Sequence, residues 1–213
     1  MEDQSKKIYQ GEKNNKERTK SKLIAAVGKV LKNKGYTGLT VSNIAKEAGV
    51  DRKLIYLYFD NVDKLIEIYI RQKDYWIKTT NDTIEEVGNL KNGNSNSFLE
   101  SLLINQLNNF LQNSEMQKVV TWQISEKSEI MSQITREREK MSTIFFALAD
   151  KDLKDKNVDI RAISSLLVAG IYYLVLHSKY TDSTFCEIEL NDEGFERIRS
   201  SIKEILNWAY DKD

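Results

Sequence analysis

The chain has 213 residues, long enough to bury a sizeable core, and its 32 Lys and Arg balance its 32 Asp and Glu, so it carries no formal net charge. Proline is absent, which removes the strongest helix breaker, and a single cysteine, Cys186, excludes an internal disulfide and a multi-cysteine metal site. The charge is uneven: Met1 to Asp60 holds 13 Lys and Arg against 7 Asp and Glu, a basic front on an acidic body, which suits a polyanion partner and is also found in plainly solvated lysine faces.

In chain order, residues up to about Lys16 are polar and aperiodic and read as a mobile basic arm, 1–16. No apolar segment of a secretion signal follows Met1, and the longest apolar run, Leu166 to Leu176, is well short of the ~20 residues that span a bilayer. A soluble, cytoplasmic protein with no membrane partner is expected. Leu23, Ala26, Val27, Val30 and Leu31 recur at the spacing of one helix face, and Gly35 ends that helix near Lys34. Thr40 then caps a short helix with Val41, Ile44, Ala45 and Ala48 inward, closed by Gly49. Asp51 caps a third helix from Arg52 to about Phe59, anchored by Ile55 and Phe59. Asn61 caps a fourth with Leu65, Ile68, Tyr69 and Trp76 inward, running to about Glu86.

Gly88 to Ser97 is rich in Gly, Asn and Ser and reads as a loop. Helices are expected from Phe98, with a stripe of Leu99, Leu102, Leu103, Phe110 and Leu111, from a Ser114 cap through Trp122, and from about Ser128 to Ala149. The last of these keeps Ile130, Ile134, Met141, Ile144, Phe145 and Leu148 apolar. After a polar loop from Asp150 to Asn157, a helix from Ile160 to about Lys179 is apolar nearly all round. A final helix has one face of Phe195, Ile198, Ile202, Ile205, Leu206 and Ala209. A helix apolar on every side must be covered on every side, so self-association is expected, with small Ser164, Ser165, Ala169 and Gly170 allowing close approach. Leu166, Leu167, Ile198, Ile202 and Ile205 would supply apolar area.

Thr40 to Phe59 has the make-up of a helix-turn-helix: small Ala45 where two helices cross, Gly49 in the turn, and Val50 plugging the corner. Through G-x-x-x-L-T-V-x-x-I-A-x-x-A-G-V from Gly35 to Val50 and L-I-Y-x-Y-F from Leu54 to Phe59, the chain resembles the TetR/AcrR family, over Leu23 to Leu65. The resemblance implies an all-α, Ω-shaped homodimer with a helix-turn-helix domain over residues 17–62 and a ligand-binding and dimerisation domain over 63–213. It also implies that the third helix enters the major groove of double-stranded DNA, carrying Arg52, Lys53 and Leu54 to base edges and Tyr56 and Tyr58 to phosphates. Arginine reads guanine bidentately, leucine touches a thymine methyl, and tyrosine hydroxyls hold phosphate oxygens. Core packing is an equal reading for Tyr56. Thr40 and Ser42 offer hydroxyls and backbone N–H groups to phosphate.

One position departs from the family pattern: Val62 stands where a lysine often follows the cap of helix 4, so a phosphate contact from that helix is expected to be lost. The resemblance implies a small-molecule effector, and Tyr75, Trp76, Phe110, Trp122 and Phe145 supply aromatic surface for a mainly apolar one, although such rings also form plain core. The function expected is a ligand-responsive repressor that binds a near-palindromic operator as a dimer and is released by that molecule. The alternative is an architectural DNA-binding protein with no ligand. A small helical enzyme is disfavoured, because His177 is the one histidine and no phosphate loop or Cys/His cluster exists. No metal or cofactor is implied.

Overall fold

The computed structural model describes residues 2–79 and 95–211, with the backbone alone for residues 2–14 and Met141. The fold is all-helical: α1 (Glu2–Lys34), α2 (Val41–Ala48), α3 (Lys53–Phe59), α4 (Val62–Lys73), α5 (Ser95–Gln112), α6 (Ser114–Ser125), α7 (Glu129–Asp152), α8 (Ile160–Tyr180) and α9 (Asp192–Asp211). Residues 75–79 are helical as well. The chain divides into two compact units, Met1–Asp74 with Lys118–Ile134, and Tyr75–Gln117 with Thr135–Asp213.

In the first unit α1 packs on α2 and α4, and α3 packs on α4. All five residues of the expected α1 stripe are buried, from Leu23 to Leu31. That helix begins earlier than its apolar stripe, because the segment read as an arm up to Lys16 has helical backbone. Lysine, glutamate and glutamine are good helix formers, and adding a turn to an existing helix avoids the unfavourable nucleation step. On α4 the inward face is Leu65, Ile66, Tyr69 and Ile70, while Ile68 is half-buried. The unbroken helix expected to Glu86 stops at Lys73: Asp74, 1% exposed, takes an extended conformation (φ −67°, ψ 126°). Aspartate favours a helix start over a helix interior. Residues 80–86 of that expectation, and 88–94 of the expected loop, lie outside the described residues.

In the second unit α5 packs on α8 and α9. Asn96 pairs with Asn207 and Asn108 with Arg199, so α5 and α9 run antiparallel. Helix α5 already includes Ser95, three residues before the expected Phe98, and Ser95 is anchored there: its N–H donates to Asp152 Oδ2 at 3.0 Å, and its hydroxyl lies 2.8 Å from that of Tyr210. Asn113, not Ser114, caps α6, accepting the Met116 N–H at 3.1 Å. Asp159 caps α8 through the Ala162 N–H. Helix α8 has 21 residues and a stretch of mean hydropathy 1.6, long and apolar enough to cross a membrane, beyond what the Leu166–Leu176 run implied. It buries Ile160, Ser164, Ile171 and Val175 within its unit and leaves Leu166, Tyr173 and Tyr180 exposed.

Candidate nucleic-acid interface

The helix-turn-helix is built by local chemistry. Thr40 caps α2, its hydroxyl oxygen accepting the Asn43 N–H at 3.2 Å, and the Asn43 side chain in turn donates to the Gly38 carbonyl at 2.9 Å. Gly49 ends α2 at φ 65°, a left-handed conformation that a side chain would strain, and Val50 N–H returns to the Ala45 carbonyl at 3.1 Å. Asp51 starts the next turn, its carboxylate accepting the Lys53 N–H at 2.8 Å. Ile44, Ala45, Ile55 and Phe59 are buried, which fixes which way α3 faces.

The face left over carries the expected DNA-reading residues. Arg52 and Lys53 are exposed, and Arg52 Nη1 lies 3.4 Å from Ser42 Oγ, which brings the starts of α2 and α3 together. Tyr56 is 54% exposed, so its ring is not spent on core packing. Leu54 and Tyr58 are half-buried, and Lys16 Nζ sits 5.7 Å from the centre of the Tyr58 ring. Sequence reasoning missed Leu57: it is 70% exposed, on the same side as Lys53 and Tyr56. Its position four residues after Lys53 was the available signal.

At the start of α4, Asn61 accepts the Lys64 N–H at 2.8 Å, as expected of a cap, and Val62 is half-buried. Lys64 is held by Glu67, Nζ to Oε2 at 3.0 Å, and Arg71 Nη2 reaches Glu67 Oε1 at 2.6 Å. Burial alone would raise the Glu67 carboxyl, but the bonds from Lys64 and Arg71 outweigh it and hold the group below its ordinary range. Lys64 therefore has an intramolecular partner to leave before it can meet a phosphate.

The five residues expected to line a ligand site fall into separate groups. Trp122 belongs to the first unit, where its ring stacks on Tyr36 at 5.6 Å between centres, and the Tyr36 hydroxyl donates to Glu126 Oε1 at 2.8 Å. That bond to the carboxylate holds the Tyr36 phenol above its usual range. The other four are in the second unit. Tyr75 meets Trp76 edge-on at 5.1 Å and donates to the Leu102 carbonyl. Trp76 Nε1 donates to the Tyr172 hydroxyl at 3.0 Å, and the Tyr172 ring meets Phe110 edge-on at 4.9 Å. Phe145 packs instead with Phe98 and Phe146. An open cleft of about 460 Å³ elsewhere in this unit is lined by Asp150, Leu153, Lys154 and Arg161, none of the expected residues.

Of the residues expected at a dimer interface, Leu166 is 74% exposed, Ala169 is exposed, and nothing lies within 4 Å of where a Gly170 side chain would start. Ile198 and Ile205 are half-buried. Ile202 is only 3% exposed, so it faces the core of its own chain and has no area to offer a partner. Trp208, at 68% exposure, extends the apolar surface on α9 and was not anticipated. Among the described residues, no group of His, Cys, Asp or Glu is placed to hold a metal ion.

Residues 23–67 match the N-terminal domain of bacterial regulatory proteins of the tetR family. No curated protein matches the chain in sequence. Among solved structures, the transcriptional regulator FadR from Bacillus subtilis, crystallised with stearoyl-CoA, is similar in fold, with 18% identity, a TM-score of 0.65, and coverage of 87% of this chain and 96% of that one. A TetR transcription regulator from Haloarcula marismortui is 17% identical, with a TM-score of 0.63, over 90% of this chain and 97% of that one. NalD, the secondary repressor of the MexAB-OprM multidrug efflux pump in Pseudomonas aeruginosa, is 15% identical, with a TM-score of 0.61, over 89% and 96%. Residues 23–67 are thus similar to the N-terminal domain of tetR-family regulators, and the chain as a whole shares the fold of these solved transcription regulators.

Proposed function

We propose that the protein is a cytoplasmic repressor that binds a near-palindromic operator as a homodimer and leaves it when a small, mainly apolar molecule binds its second unit. The observation that carries the DNA half is the free face of α3, where Arg52, Lys53, Tyr56 and Leu57 stand exposed on a helix whose opposite side is buried. In a major groove such a face supplies base contacts from Arg52 and Lys53, thymine-methyl contact from Leu54 or Leu57, and phosphate contacts from Tyr56, Tyr58, Thr40 and Ser42. Exposed Leu166, Tyr173 and Tyr180 on α8, with Trp208 on α9, support the dimer, because apolar area of this kind is normally covered in a soluble regulator.

The effector half rests on the joined rings of Tyr75, Trp76, Tyr172 and Phe110. It is supported by the acyl-CoA held by the Bacillus subtilis regulator of similar fold. Two helices offer a route from effector to DNA. Helix α4 ends at Lys73, beside Tyr75, but is interrupted at Asp74. Helix α6 includes residues of both units, and its last turn carries Trp122, which stacks on Tyr36. A hundredfold release needs ~2.7 kcal/mol of coupling, within the ~1–3 kcal/mol usual for allostery.

The test is a titration of the protein onto DNA selected from a random pool, followed by fluorescence anisotropy, with and without medium-chain acyl compounds. Tight, salt-sensitive binding that such a compound weakens at least tenfold is expected. Binding that no compound changes, while some of them quench tryptophan emission, favours the architectural reading.

A further inference from the structure

We propose that Gln106 is the polar anchor of the effector site, taking a neutral carboxamide-type group of an otherwise apolar molecule; the proposal rests on the reading of the second unit as effector-binding. Gln106 is 2% exposed on the inward stripe of α5, between Leu102 and Phe110, and both its Nε2 and its Oε1 have no hydrogen-bond partner. A buried, unsatisfied carboxamide is destabilising, and leucine or methionine would fill the same space without that cost. On α8, which packs on α5, the Ser164 hydroxyl is also buried and unpartnered.

The surroundings of Gln106 are those of an apolar site. One turn before it, the Tyr75 hydroxyl reaches the Leu102 carbonyl at 3.2 Å; one turn after it, Phe110 meets the Tyr172 ring, whose hydroxyl accepts from Trp76. The aromatic group and the unpaired amide thus share one stretch of α5. A carboxamide offers an acceptor and two donors side by side, so its best complement both donates and accepts. The neighbours named here are uncharged, and burying an anion against them is unfavourable, so the matching head is neutral. An amide or lactam meets both conditions, an ester is neutral but only accepts, and a carboxylate only accepts and is charged.

Octanamide, methyl octanoate and octanoate at pH 7.5 share one chain length and differ in head group, so calorimetric titration of the full-length protein with each separates the head from the tail. Wild-type protein is expected to bind octanamide at least tenfold more tightly than either other compound. Gln106→Leu and Gln106→Met are expected to lose that preference, keep their affinity for methyl octanoate within about twofold, and unfold a few degrees higher without ligand, since the unpaired amide is gone. Octanamide binding no tighter than the ester, or a preference that survives both substitutions, overturns the proposal. So does a marked fall in melting temperature, which would mean that the amide has a partner in the protein. Operator release is read separately: octanamide that binds through Gln106 but leaves operator affinity unchanged sinks the release reading and not this one.

Discussion

Arg52, Tyr58 and Glu67 show how single side chains divide the labour in the first unit. Tyr58 lies half-buried beside Lys16, and in the proposed complex its hydroxyl meets a phosphate, which carries no sequence information. Tyr58→Phe is expected to weaken binding to all DNA sequences alike, by about 1 kcal/mol, as measured by anisotropy on matched and unmatched duplexes. Glu67 does structural work on α4. Its carboxyl is held below the ordinary glutamate range of about 4.3, so its stabilisation is fully present above that pH and is lost as pH falls through the depressed folded value. Thermal unfolding from pH 7 to pH 3 is expected to show an acid-side loss that Glu67→Gln lacks. At pH 7 that variant is expected to be less stable by about 1–2 kcal/mol, because its partners Lys64 and Arg71 remain partly solvated.

At the scale of elements, what was legible in the sequence is what is decided locally. Thr40, Gly49 and Asn61 sit where their caps and turn require them, and the stripe on α1 announced its buried face, because these follow from a few neighbouring residues. What escaped depends on tertiary partners. The anchoring of Ser95 on α5 needs Asp152 and Tyr210, and the burial of Ile202 depends on which side of α9 its own unit covers. Trp122 looked like ligand lining by residue type, yet its place is set by Tyr36, 86 positions away in sequence. Gly194 likewise reveals its role only in three dimensions: a Cβ there would clash with the carbonyl oxygen of Glu189, just ahead of α9. Gly194→Ala is expected to displace that helix start and lower stability by ~2 kcal/mol or more, read from denaturant unfolding.

For the whole molecule, the proposed dimer is what would read an operator, since two recognition helices are needed to read two half-sites. Gly170 gives a clean way to test it. A side chain there meets nothing within the protomer and sits on a helix, so Gly170→Arg is expected to fold and yet fail to pair. Light scattering is expected to show monomers, and operator affinity to drop at least tenfold; an intact dimer would move the interface off this part of α8.

The central claim is that α3 reads DNA twice, once from each copy of the chain. Parallel selection of wild-type protein and Arg52→Ala from one random DNA pool tests it directly. Wild type is expected to enrich an inverted repeat with half-sites about one or more helical turns apart. Arg52→Ala is expected to lose discrimination at the same position in both half-sites, worth about 1–3 kcal/mol at each base pair. An asymmetric wild-type site, or an Arg52→Ala consensus identical to that of wild type, would contradict it.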